Sequence, residues 1–451
     1  MENVEKTTAM QCGFGKREIT PPLGTSMAGY FKTRFSAGVT DPLFVRATLF
    51  QFGEKRALIM AMDLCGINKE WADRIREKVG KTFDIDPDAI LINGSHTHTG
   101  PIFQSAPATG TVVDPNFIAF LEEQAFIAAG EAVMDLAPAR LFTAESHAKG
   151  ISFVRRYRMK DGTYKTNPHP DTADQIDHAI GEASDKVRVL IVRREGADDI
   201  YLVNFGTHPD TVGYNYISAD WPGYVCSTLE GAIPGTKCMF LLGPQGDVNH
   251  FTPFLPNRGR LISEKHKEDP REKALHARYM GHVIAGSVLT VCDRAEEIGN
   301  EGIDFAKEEM LLPSNRITEG IEEARKITER HRAGEPYSED FTYAQVVESY
   351  RRIRMFEAPP FMSYHAYALR IGEFAIVGVP GEPFTELGAR IYASSPFKHT
   401  MTCCMTNAGC GYVPNSASFD EGGYEMNNCN YVRGADDAYV AAAEKALKAL
   451  K

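Results

Sequence analysis

Apolar positions in this chain fall mainly into short, β-branched runs closed by Gly, Pro, Asn or Asp, and one order of runs recurs along the sequence. Val45 to Phe52, a turn at Gly53-Glu54-Lys55 and Ala57 to Asp63 predict a β-hairpin. An amphipathic helix comes next, with Trp71, Ile75 and Val79 on one face. A buried strand from Ala89 to Ile92 then runs into Asn93-Gly94-Ser95-His96-Thr97-His98-Thr99-Gly100-Pro101. In the second copy, Lys186 to Arg194 and Ile200 to Gly206 form the hairpin, which ends in Thr207-His208-Pro209. Its helix starts near Asp220-Trp221-Pro222, with Asp220 or a neighbour as cap. Its last strand, Cys238 to Leu242, ends in Gly243-Pro244-Gln245-Gly246-Asp247-Val248-Asn249. The third copy pairs Tyr364 to Leu369 with Phe374 to Val379, ending in Pro380-Gly381-Glu382. A helix from Phe384 to Tyr392 and a strand from Thr400 to Met405 complete it, ending in Asn407-Ala408-Gly409-Cys410-Gly411-Tyr412.

The fold expected from these patterns is α/β, with mixed sheets built from hairpin-helix-strand modules, helices packed outside, and a single large domain over residues 1–451. Long helices are expected from Phe117 to Leu136 and from Arg271 to Ala295, the latter burying Leu275, Tyr279, Met280, Val283 and Val288. The charge-rich stretch 296–360 reads as a helical, solvated excursion, with helices near Glu319 to Arg332 and Tyr343 to Met355. A lid or a homo-oligomer contact is the alternative for that stretch.

A formal charge of -11 and a composition 24% charged argue against nucleic acid or an anionic membrane surface as partner, because such contacts rest on clustered Lys and Arg. The N-terminus lacks an apolar signal core, and no run of about 18 apolar residues occurs. A cytoplasmic chain without a transmembrane segment is expected, unless a leader was trimmed. The 9 cysteines contain no C-x-x-C pair, so they read as small buried hydrophobes and not as zinc knuckles or a disulfide framework.

The polar residues sit at equivalent strand ends: Asp63 and His96/His98, His208 and Asp247/Asn249, Glu382 and Tyr412. Strand ends along one sheet edge are where functional groups gather on a rigid scaffold. On an extended backbone His96 and His98 face the same side and can converge on a metal, zinc being the commonest partner of neutral imidazole. A hydrogen-bonded pair of loop histidines is the plainer reading of that motif alone. Asp63 ends a strand and serves equally as the cap of the following helix. His147, His169, His178, His250, His266 and His365 show no comparable pattern and are assigned surface or core roles.

NGSHTHTGP, FGTHPDT with ISADWPGY, GPQGDVN and VPGEPFTELGARI resemble, in the same order, blocks of the catalytic domain of the neutral/alkaline (non-lysosomal) ceramidase family. The opening GFGKREITPPLGTSMAGY and the block ending GGYE fit as well, so the resemblance covers nearly the whole chain. It implies a zinc site formed by His96, His208, Glu382 and Tyr412, the strand-end residues noted above. It further implies roles for Tyr424 and for Arg155, with the adjacent Arg156 as the alternative. Asn249 stands where the family carries a Ser with an assigned catalytic role, and His250 where ceramidases carry Pro. Asn is no nucleophile, so the chemistry expected here runs through metal-activated water. The chain also stops soon after these blocks, short of the family's C-terminal β-sandwich domain, so a soluble or amphipathic N-acyl compound is expected as substrate in place of bilayer ceramide.

The resemblance thus implies a zinc-dependent amidohydrolase in which His98 moves the proton. Arg155 and Tyr424 stabilise the oxyanion, and Asn249 and Asp247 lie at the substrate, Asp247 with Asp63 orienting imidazoles or backbone amides. A zinc esterase or lactonase on the same site, and a catalytically silent zinc-containing binding protein, are the competing accounts.

Overall fold

The computed structural model describes residues 9–30, 32–261 and 269–451. The expected modules form, and each is larger by one strand than the sequence pattern suggests. In the first unit β1 (Met10–Glu18) runs antiparallel to β2 (Phe44–Phe52), which forms a hairpin with β3 (Lys55–Met62). Helix α1 (Lys69–Phe83) then returns the chain to β4 (Ile90–Gly94), parallel to β3. Helix α1 buries Trp71, Ile75 and Val79 as expected, but its cap is Asn68, whose side chain accepts the Glu70 N–H. Asp63 does not cap it. Helix α2 (Pro115–Met134) packs on β1, and two strand glycines make the close approach feasible. A Cβ on Gly13 or Gly15 would lie 2.0 Å from a carbonyl oxygen of that helix.

The second unit repeats the order with β5 (Ala137–His147), β6 (Lys186–Arg194), β7 (Asp199–Phe205), helix α3 (Asp220–Ala232) and β8 (Thr236–Leu242). Pairing is antiparallel, antiparallel, then parallel, as in the first. Strands β1 and β5 pair antiparallel, so both units share one sheet in the order β8-β7-β6-β5-β1-β2-β3-β4. Helix α4 (Leu275–Leu289) is shorter than expected. It stops well before Ala295, Tyr279 is 38% exposed, and Glu296–Ile298 turns into a strand on β5.

The third unit forms a separate sheet. Its first strand, β9 (Ile303–Pro313), corrects the expectation of a helical excursion over 296–360. Only its second half is helical, in α5 (Ile321–Arg332) and α6 (Tyr343–Glu357). Strand β9 reads as charged surface because it is an edge strand whose solvent face carries Lys307 and Glu309, a common protection against edge-to-edge pairing. It pairs with β10 (Phe361–Ile371), followed by β11 (Phe374–Gly378), helix α7 (Thr385–Ser394) and β12 (His399–Cys403), parallel to β11. The C-terminal helix α8 (Ala435–Lys448) covers this sheet.

Burying both faces of the sheets produces two large hydrophobic clusters. All 9 cysteines are buried and free, as expected of small core residues. Among the described residues no helix is long and apolar enough to cross a membrane.

What positions the site is a junction of strand ends. Asn93, at the end of β4, accepts the Leu242 N–H from the end of β8 at 3.1 Å and donates its amide to Cys404 O, just past β12. Asn204 in β7 donates to Leu241 O at 2.9 Å and to Thr402 O at 3.2 Å. Through Cys404 O and Thr402 O these side-chain amides tie the shared sheet to the separate third sheet, beside the backbone bonds from Cys404 N to Leu242 O and from Gly94 N to Met405 O, and they bring the loops of all three units to one place.

Candidate metal centre

The loops after β4, β7 and β11 bring His96, His208 and Glu382 together, with ligating atoms within 4.8 Å of one another. His96 Nε2 and His208 Nε2 each lie 3.4 Å from the same oxygen, Glu382 Oε2. Both rings are oriented from behind. His96 Nδ1 donates to Cys65 O at 2.6 Å, and His208 Nδ1 to Gln245 O at 3.2 Å, which leaves the Nε2 lone pairs facing the carboxylate.

His96 does not reach this point by the route the sequence suggests. Strand β4 ends at Gly94, and His96 has φ 65, a left-handed conformation uncommon for a residue with a Cβ. The turn, and not an extended backbone, brings His98 alongside, its Nε2 3.2 Å from His96 Nε2. His98 is gripped by the loop around Gly29. Arg34 donates to His98 O at 2.6 Å, Tyr30 meets the imidazole edge-on at 5.6 Å, and Gly29 sits at φ 96 against its side chain.

The His208 loop is fastened by Asp220, which is not a conventional cap. Its carboxylate accepts from Thr211 N, Thr211 Oγ1, Val212 N and Trp221 N, while its own backbone is at φ 57. Trp221 Nε1 adds a bond to His208 O at 3.3 Å. The DWP motif thus holds the His208 loop as well as opening a helix, a role sequence reasoning missed.

Tyr412 joins the group through its backbone, in register with Glu382 in a two-residue parallel pair. Its ring stacks on His208 with centroids 6.5 Å apart, and Tyr424 lies 5.8 Å beyond it. Arg155 is fully engaged: Nε donates to Glu425 Oε1 and Nη2 to Gly246 O, each at 2.6 Å, and the guanidinium packs on the Tyr412 ring at 5.3 Å. Its neighbour Arg156 bonds Ser418 and Glu421 and lies 3.7 Å from the other oxygen of the same Glu425.

The two residues expected at the substrate have other partners. Asp247 accepts Thr385 N at 2.7 Å and Thr385 Oγ1 at 3.0 Å, which makes it a cap for helix α7. Asn249 accepts the His250 N–H at 2.7 Å and is buried. Asp63, the counterpart of His208 and Glu382 in the first unit, is taken up by Arg46 Nη1 and Phe44 N, both at 2.9 Å. Of the other histidines, His250 is buried beside the site with Nδ1 3.5 Å from Asp210 Oδ1, and His266 lies outside the described residues.

Electrostatics favour a cation at the centre. Burial alone would strip the proton from His96, but Glu382 and Cys65 together outweigh it and raise the imidazole well above its ordinary range. Against the opposing effect of burial, His96 and His208 in turn hold the Glu382 carboxyl well below its own. Burial and then Arg155 push His208 down to about 4, so it presents a neutral ring. Glu382 Oε2 is buried without a hydrogen-bond donor, a costly state for a carboxylate unless positive charge sits beside it. Two imidazoles, a carboxylate and a nearby phenol form a donor set that fits a borderline divalent ion such as zinc. A second grouping of Cys65, His96 and His98 is less suited, because the His96 nitrogen facing Cys65 Sγ at 4.0 Å is already bonded to Cys65 O.

No family model and no curated protein matches the chain. Among solved structures it is similar to a neutral ceramidase from Pseudomonas aeruginosa, at 16% identity over 98% of this chain and 74% of that one, with a TM-score of 0.74. A ceramidase complexed with C2 aligns equally well, at 16% identity over 98% of this chain and 75% of that one, with a TM-score of 0.74. The chain therefore has a ceramidase-like fold.

Proposed function

We propose that this chain is a zinc-dependent hydrolase of N-acyl (amide) bonds, with His96, His208, Glu382 and Tyr412 as the metal ligands. One observation carries the reading: two imidazole nitrogens, each backed by a main-chain carbonyl, address one buried carboxylate oxygen that has no other partner. The likeness to ceramidases supports an amide as the scissile bond. A zinc ion in such a donor set supplies a Lewis acid for a carbonyl and lowers the pKa of water.

The chain's own residues supply the rest. His98 is kept neutral by burial and by the two neighbouring imidazoles, so its ring can accept a proton and return it to the leaving nitrogen. Arg155 holds the phenol of Tyr412 in place and lends positive charge to it, opposing the effects of burial and of Glu382 on that group. Tyr424, 39% exposed and with its ring 5.8 Å from that of Tyr412, is assigned to the developing oxyanion. Asp247 and Asn249 act through the backbone they brace, Asp247 by fixing helix α7 directly after Glu382.

The test is metal analysis of purified protein together with a panel of N-acyl amino acids, N-acyl sugars and short ceramide analogues. One equivalent of zinc, amide turnover, and loss of both in His96→Ala are expected. Protein without a stoichiometric metal, or turnover unchanged in that variant, overturns the reading.

A further inference from the structure

The loop that comes after Asn249 carries three basic side chains with few partners among the described residues. His250 is 1% exposed, and neither ring nitrogen makes a hydrogen bond. Arg258 and Arg260 each have a buried Nε without an acceptor. Arg258 donates from Nη2 to Asn167 O at a long 3.4 Å, and Arg260 from Nη2 to Thr211 O at 3.2 Å. Among the described residues neither guanidinium forms an ion pair. Asp210 is the nearby carboxylate, and its Oδ1, 3.5 Å from His250 Nδ1, accepts no hydrogen bond.

The backbone is bent to present these groups. Asn257 and Arg258 lie at φ 49 and 59, followed by Gly259 at φ 80, and a left-handed conformation is strained for residues with a Cβ. The Arg258 guanidinium is set over the Phe251 ring at 3.9 Å. Partial burial and then Arg260 lower the pKa of Arg258, as expected of like charges brought together without a counterion.

Two contacts join this loop to the walls of the metal centre. Arg260 bonds the carbonyl of Thr211, on the His208 loop, and the N–H of Asn167, which receives Arg258, donates to Arg155 O at 2.7 Å.

We propose that Arg258, Arg260 and His250 form an anion-recognition site beside the metal centre, and that the substrate is an N-acyl compound carrying a carboxylate or phosphate on the part remote from the scissile amide. The identification as substrate site rests on the hydrolase reading above. Guanidinium forks match both oxyanions in geometry, and a desolvated neutral imidazole adds a further donor. The ligand class is therefore acidic amides such as N-acyl amino acids, or N-acyl amines esterified to phosphate.

The experiment measures calorimetric binding and turnover of N-dodecanoylglycine, N-dodecanoylglycinamide and N-dodecanoyl phosphoethanolamine with the full chain and with its R258Q/R260Q variant. One acidic probe is expected to bind about tenfold or more tightly than the neutral amide, with the advantage falling as salt rises and vanishing in the double variant. Which acid wins separates carboxylate from phosphate. If the double variant melts early, R260Q alone and the charge-retaining R260K take its place, the latter keeping the preference. Equal affinity of native protein for all probes, or a preference surviving in R260Q and the double variant, overturns the site. Charge-selective binding without any turnover overturns the hydrolase reading and leaves the anion site standing; turnover indifferent to charge does the reverse.

Discussion

Asn93 and Leu242 are joined by a side-chain-to-backbone hydrogen bond of 3.1 Å between units that share no ladder at that point. Asn93→Ala leaves the buried Leu242 N–H unpaired, at about 1–3 kcal/mol, and removes one of two donors from Cys404 O, which keeps Thr406 Oγ1 at 3.2 Å. Chemical denaturation should show a loss in that range, with weakened metal retention at temperatures where the variant is still folded. A variant as stable as the parent would mean that the strand ends are held by packing alone.

His98 is proposed to carry the proton and not to bind the metal. His98→Gln should keep stoichiometric zinc while turnover falls roughly 10²- to 10⁴-fold. Elemental analysis beside a rate assay checks both halves. Loss of zinc would place His98 among the ligands instead.

Gly29 has no room for a side chain: a Cβ there would lie 2.5 Å from His98 Cβ, and φ 96 strains any other residue. Gly29→Ala therefore displaces His98, and a shift of about 1 Å at a reacting group costs on the order of a hundredfold in rate. Turnover should fall with zinc content unchanged, and wild-type rates would show that the loop yields without moving the imidazole.

His276 makes acid stability measurable. Leu261 N donates to its Nδ1 at 3.2 Å, and its Nε2 faces His250 O at 3.4 Å. His250, Tyr279 and Arg260 surround it, and burial first, with the charge of Arg260 after, pushes it down to about 4. Below the ordinary imidazole value of 6.5 the unfolded chain takes a proton that the folded one refuses, so this contribution is complete above that pH and is lost as pH falls toward about 4. The loss is on the order of 3 kcal/mol across the window. Unfolding free energies of His276→Gln should fall less steeply between those pH values; parallel curves would show that the imidazole does not stay neutral in the fold.

The units are legible in the sequence because hairpins and parallel return strands leave alternating apolar runs closed by turn residues, and the chemically telling residues stand where those runs stop. Strands β1 and β9 are not, for opposite reasons. The first carries glycines that admit a helix, and the second wears charge on an exposed edge. The convergence of His96 with His98 is expected from extended geometry, whereas a left-handed residue achieves it. Asn93 and Cys65 are silent in the sequence because each takes part in a side-chain-to-main-chain bond between residues far apart along the chain, and Asp220 reads as a helix cap because nothing local shows its bonds back to Thr211 and Val212. Asp247 and Asn249 stand in a motif that suggests substrate contact, while Asp247 accepts the remote Thr385 N–H and Asn249 the N–H of the next residue.

Because β4, β7 and β11 are each followed by one member of the trio His96, His208 and Glu382, an ion held by the proposed site would link its occupancy thermodynamically to the cohesion of the chain. A cation at a hundredfold excess over its Kd adds about 2.7 kcal/mol to the folded state, and no single unit receives that increment alone. A chelator should accordingly lower the melting temperature of the entire molecule, and damage in a remote hairpin should register as leakage of the ion.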